Sequence, residues 1–289
     1  MFKLFKDTFK STNEGIILAT PLILFLWVIT LYISYSKEVV DTIPEMILSG
    51  ITMLFMFSAF CSGWFYMVKK CVEFSKKNFI LDEDKAHESL KLIQALPIGI
   101  GKYFLKYVGV CVMFLGMAML IASITYSITV PFIQQMNFSL EQMSTVINSA
   151  QEATNFISTM PTDKMLILFK LNMILLGITS VFSFLLMLWM PEIIYTKRNP
   201  FIALFTSIKK LFVKFRKSIV LFIYISLCQF IISYLSTFAL LHPIAYMIMM
   251  IVYFYFIVYI VVLIFSYYDK EFNDNDQETE SSSDSRSDS

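Results

Sequence analysis

Five cations fall within one short stretch of this chain, Lys209, Lys210, Lys214, Arg216 and Lys217, next to rings at Phe201, Phe205, Phe212 and Phe215. Apolar residues here recur at steps of three or four (Phe201, Leu204, Phe205, Ile208, Leu211, Phe212, Phe215), as one face of a helix would. A basic cluster opposite an aromatic stripe is what an interfacial helix needs. Its rings sink to the headgroup level while its cations meet anionic lipid. The same lysines also satisfy the positive-inside rule beside any span, with no lipid selectivity implied, and both readings stay open. A second set, Asn172, Gln229, Tyr255 and Tyr259, lies inside long apolar runs. An amide in such a run serves as a hydrogen-bonded link between helices or as a contact to a ligand. Tyr255 and Tyr259 are one turn apart and share a face. Their hydroxyls need partners in a dry setting, so that face packs on a bundle or borders a pocket for an amphipathic ligand.

Other chemistries find no support. There is no Walker loop, H-E-x-x-H or G-x-S-x-G, and the two histidines, His87 and His242, fall on opposite sides of the expected membrane. Cys61, Cys71, Cys111 and Cys228 show neither C-x-x-C nor metal-ligand spacing and read as small apolar residues. No catalytic residue, metal site or cofactor is assigned, and a non-enzymatic protein is expected. Charges at mid-membrane usually mark ion or proton paths. Here Glu45 and Glu192 fall at helix ends, and Lys170 sits about one turn inside its span, where its stem carries the ammonium outward. An ion-coupled pump is therefore disfavoured.

The elements that must position these residues are membrane spans. The 289 residues are 57% apolar and 16% charged, against about 45–50% and about 25% in soluble domains. A bilayer core of about 30 Å needs about 20 apolar residues of helix. Six runs qualify, approximately 16–35, 46–68, 104–128, 166–190, 219–241 and 244–268. None alternates with a period of two, so the fold expected over residues 1–268 is all-α, a polytopic bundle of six transmembrane helices. The first run is too long for a signal peptide and no small-x-small cleavage site follows it. Of the 23 Lys and Arg, only Lys37, Lys164 and Lys170 fall on one side of the spans. This bias places both termini in the cytoplasm.

The connections carry patterns of their own. Asn199-Pro200 reads as an N-cap with proline at the first helical position. Asp82, Glu83 and Asp84 open a second surface helix with an apolar face at Ala86, Leu90 and Ile93, which Pro97, Gly99 and Gly101 are expected to break before the third span. Span, surface helix and span thus occur twice, around 46–128 and 166–241, a hint of a parallel repeat. On the other side, Ser139 to Gln142 reads as a capping box, starting an extracytoplasmic helix, and Asn137-Phe138-Ser139 matches a glycosylation acceptor. Ser58, Ala59, Ser62 and Gly63 have the small-residue spacing of close helix contacts. Residues 269–289 hold eight acids against Lys270 and Arg286, so the tail is −6 and residues 1–268 are +7. Serine-rich and almost without apolar residues, it is expected to be a disordered cytoplasmic tail.

Met190-Pro191 through Asn199-Pro200 to Ser207 resembles a broad group of six-helix bacterial membrane proteins. That group is similar to the membrane domain attached to some glycerophosphodiester phosphodiesterases. The shared positions are Pro191, Pro200, Ala203 and Ser207. The phosphodiesterase part is missing and the acidic tail departs from the plan. The resemblance implies a multi-pass protein of the bacterial cytoplasmic membrane, concerned with membrane or envelope maintenance. The partners expected are membrane lipids, anionic ones among them, and a membrane-protein partner or a second copy, but no nucleic acid. The alternative function is a permease or export component for an amphipathic or lipid-like substrate.

Overall fold

The structure is a computed structural model that describes residues 1–76, 82–136, 161–239 and 242–273. Its helices are α1 (Phe2–Glu14), α2 (Ala19–Val39), α3 (Ile43–Ser75), α4 (Asp82–Met136), α5 (Thr162–Leu186), α6 (Trp189–Thr196), α7 (Pro200–Val213), α8 (Phe215–Ala239) and α9 (Pro243–Tyr268). No strand occurs among the described residues. Among the described residues six stretches are long and apolar enough to cross a bilayer, Ile16–Val39, Ile43–Ser75, Lys91–Phe132, Thr162–Thr196, Phe215–Thr237 and Ile244–Asn273. Their outward surface is apolar along its length, including Leu24, Ile47, Phe230, Met247 and Ile251. Apolar patches of that extent are not stable against water, and the chain is an integral, multi-pass helical membrane protein. The expected extracytoplasmic helix at 139–154, the Asn137 acceptor and the tail beyond residue 273 lie outside the described residues.

The chain forms two compact units, Met1–Val112 with Leu185–Ser289, and Met113–Phe184. The second comprises the distal part of α4 and most of α5, with Leu171 and Thr129 among its few buried residues. The first holds the rest. Its core gathers at one end, where α3 buries Trp64, Met67, Val68 and Cys71, α6 buries Trp189 and Ile193, and α9 buries Val262 and Phe265. Two indoles staple this end. Trp64 Nε1 donates to Leu18 O and Trp189 Nε1 donates to Pro200 O, each at 2.9 Å. Tyr103 Oη donates to Ile194 O in the last turn of α6, supplying a carbonyl that has no helical partner of its own.

Helix ends follow local chemistry. Thr42 and Glu45 form a reciprocal capping box at the start of α3, with Pro44 in its first turn. Asn199 is the N-cap of α7 by backbone geometry, although its side chain does not cap. Pro191 lacks the N–H that would continue the ladder of α5, and the chain breaks at Met187-Leu188 before α6 begins.

One expectation is corrected. Pro97, Gly99 and Gly101 do not break the second surface helix, because α4 runs through all three. The glycine serves a helix contact instead of a turn. A Cβ at Gly99 would stand 2.8 Å from Ser62 O and 2.9 Å from Gly63 Cα, and one at Gly63 would stand 2.8 Å from Leu96 O. Ser58, Ser62 and Gly63 on α3 are buried, so the small-residue spacing does mark a close helix approach.

Candidate functional site

The five basic residues divide into two classes. Helix α7 buries Pro200, Ala203, Leu204, Ser207 and Leu211 and turns Phe201, Phe205 and Phe212 outward, at 60%, 59% and 58% exposure. The apolar stripe read from sequence is therefore two faces, one packed on the protein and one open. Lys209 lies beside the open ring face and is exposed, and Arg216, in the first turn of α8, is exposed too.

Lys210 points the other way. Its Nζ lies 3.0 Å from Oε2 of Glu192, a carboxylate with no accessible surface, and donates to Tyr268 Oη at 2.6 Å. Tyr268 in turn donates to Glu192 Oε2 at 2.6 Å. Arg198 Nη1 stands 3.8 Å from Glu192 Oε1, too far for a hydrogen bond. Glu192 sits in the first turn of α6, where the helix dipole favours a negative charge. Lys210 comes from α7 and Tyr268 closes α9, so one buried ion pair ties three helices together. Lys214 and Lys217 also have carboxylate partners, at 3.6 and 2.7 Å from Glu271. Lys76 and the buried Asp269 pair at 2.5 Å. From sequence alone Glu192 is only an acid at a helix end. A lone acid in the apolar run Trp189-Met190-Pro191-Glu192-Ile193-Ile194 was the available signal, because such an acid must find a cation or stay neutral.

The second set is only partly brought together. Tyr255 and Tyr259 share a face of α9, as their spacing requires, and border a cavity of about 500 Å³. Its other walls are Phe2, Phe5, Lys6 and Phe9 of α1 and Tyr224, Cys228, Ile231 and Ile232 of α8. The hydroxyls have partners. Tyr224 and Tyr259 share a hydrogen bond at 3.0 Å, and Tyr255 donates to Asn13 Oδ1 at 2.6 Å. Phe5 stacks on Tyr224 with ring centroids 4.0 Å apart, and Phe9 meets Tyr255 and Tyr259 edge-on. Gln229 is exposed on α8 and does not line this cavity; Asn172 is exposed on α5, in the other unit. Helix α1 lies outside the spans and surface helices expected from the sequence. The signal was Phe2, Phe5 and Phe9 recurring at helical steps, with Thr8 and Thr12 on the buried side.

No family model, curated protein or solved structure matches this chain. Among the described residues no three His, Cys, Asp or Glu side chains gather as a metal site requires.

Proposed function

We propose that this protein is a non-enzymatic component of the bacterial cytoplasmic membrane that acts in membrane or envelope maintenance by binding anionic lipid at its basic end, with both termini cytoplasmic. The observation that carries the reading is the two-faced helix α7. Its small residues are buried on the bundle while three phenylalanines and Lys209 face outward, the arrangement of a helix laid in the headgroup layer. The distribution of Lys and Arg around the spans supports the orientation. The resemblance carried by Pro191, Pro200, Ala203 and Ser207 supports the setting, and three of those four residues form the packed face of α7. Assembly with a membrane-protein partner or a second copy belongs to the same reading.

On this reading headgroup contact falls to the exposed Lys209 and Arg216, while Lys210, Lys214 and Lys217 pair internally. Native mass spectrometry of protein taken from mixed phosphatidylglycerol and phosphatidylcholine bilayers measures the preference between the two lipids. Lys209→Gln with Arg216→Gln should lower the phosphatidylglycerol preference by about fivefold or more, since each cation near an anionic surface contributes about 1 kcal/mol. Lys214→Gln with Lys217→Gln should change it less, because Glu271 already holds those cations. Equal preference in wild type and in the first double variant would sink the reading. The permease alternative draws on the groove beside Tyr255 and Tyr259, but Gln229, the deepest polar residue it relied on, lies outside that groove.

A further inference from the structure

We infer that the groove between α1, α8 and α9 is a binding site for one acyl chain of an anionic membrane phospholipid, with the headgroup held at Lys6. This site is separate from the α7 surface. Its walls are almost wholly rings and aliphatic groups, and the tyrosine hydroxyls on it already have partners. Its shape is long. Tyr224, Cys228, Ile231 and Ile232 follow it along α8 for about 12 Å at the helical rise. The groove holds about 500 Å³ and is open along one side, so a single flexible hydrocarbon chain can enter it sideways from the bilayer.

The charge at the rim fixes the class of headgroup. Among the described residues that line the groove Lys6 alone is charged, and it is exposed. Lys3 and Lys10 follow on the adjoining face of α1 with Asp7 between them, all exposed, which leaves this rim net positive. Both phospholipids offer a phosphate to Lys6, and phosphatidylcholine alone adds a positive charge beside the three lysines, so the net-anionic headgroup is favoured. Phe2 is exposed at the entrance. The groove joins Phe2, Phe5 and Phe9 of α1 to the 224–232 stretch of α8, so a chain held at Lys6 lies against both helices.

The test uses the full chain reconstituted in vesicles that contain either phosphatidylglycerol or phosphatidylcholine with the same diazirine-bearing acyl chain. After illumination, labelled peptides are mapped. Phosphatidylglycerol should label α1 and the 224–232 stretch of α8, and phosphatidylcholine should label them far less. Lys6→Glu should reduce that labelling about tenfold, as reversing one charge beside an anion implies, and Lys6→Arg should keep it. Cys228→Trp, which fills the groove, should abolish it while leaving labelling on other outward faces unchanged. Equal labelling by the two lipids, labelling unaffected by both Lys6→Glu and Cys228→Trp, or crosslinks from the groove to a second copy of the chain would each overturn the assignment. Because Lys209 and Arg216 are untouched in these variants, failure here leaves the α7 reading standing, and the reverse also holds.

Discussion

Lys210→Met should destabilise the detergent-solubilised protein by about 3 kcal/mol, the lower end of the 3–5 kcal/mol lost when a buried ion pair is broken from one side. The methionine keeps the length of the lysine stem, so packing is largely retained and the loss comes from Glu192, whose carboxylate has no accessible surface. The lower end applies because 20% of the Lys210 side chain is accessible and because Tyr268 still donates to the carboxylate. Adding Glu192→Gln to Lys210→Met should recover part of the loss. The amide oxygen still accepts from Tyr268, and no unpaired charge remains. Denaturant or thermal unfolding of the two variants and the wild type reads both effects. A Lys210→Met protein within about 0.5 kcal/mol of wild type would show that this lysine behaves as an ordinary surface residue.

The second large effect is expected at the crossing of α3 and α4. Gly99→Ala places a methyl within 2.9 Å of two backbone atoms of α3, Ser62 O and Gly63 Cα, which cannot move aside as a side-chain tip can. The helices must separate, at a cost of about 1–3 kcal/mol for overpacking. Gly101→Ala on the same helix meets nothing within 4 Å. It should stabilise by about 0.5–1 kcal/mol through the backbone entropy that glycine loses in a helix interior. Two alanines two residues apart are thus expected to act with opposite signs. Unfolding midpoints of the single variants check this directly, and equal effects would mean that Gly99 is not in the contact.

Where the sequence determined structure through periodicity and length, it could be read. The six spans, the α7 start at Asn199-Pro200 and the shared face of Tyr255 and Tyr259 all depend on local patterns. Two features depended on partners far along the chain and escaped. Pro97, Gly99 and Gly101 look like breakers in isolation, but a glycine also permits helices to approach closely, and only the position of Ser62 and Gly63 shows which use applies. The basic cluster looked uniform because periodicity cannot see a carboxylate 18 residues earlier. Once Glu192 is placed under α7, Lys210 belongs to the interior and Lys209 to the surface. Helix α1 escaped for a different reason. Its buried side is polar, with Thr8, Ser11 and Thr12 against the bundle, so an apolar-stripe search finds only part of its packing.

The tail reads differently once its first residues are placed. Asp269 and Glu271 are not free counter-charge but partners of Lys76, Lys214 and Lys217. The acids that begin the tail thus neutralise part of the basic end. Among the cations that remain exposed are Lys209 and Arg216 near the rings and Lys3, Lys6 and Lys10 on α1.

The outward ring face of α7 is expected to lie in the lipid headgroup layer and not in water. A nitroxide at Phe205→Cys in a background without the four native cysteines, in phosphatidylglycerol-containing vesicles, tests it by power saturation. The label should be more accessible to oxygen than to a water-soluble nickel chelate, at a depth of about 5–10 Å below the headgroups. A label relaxed mainly by the nickel chelate would place this face in water and contradict the account.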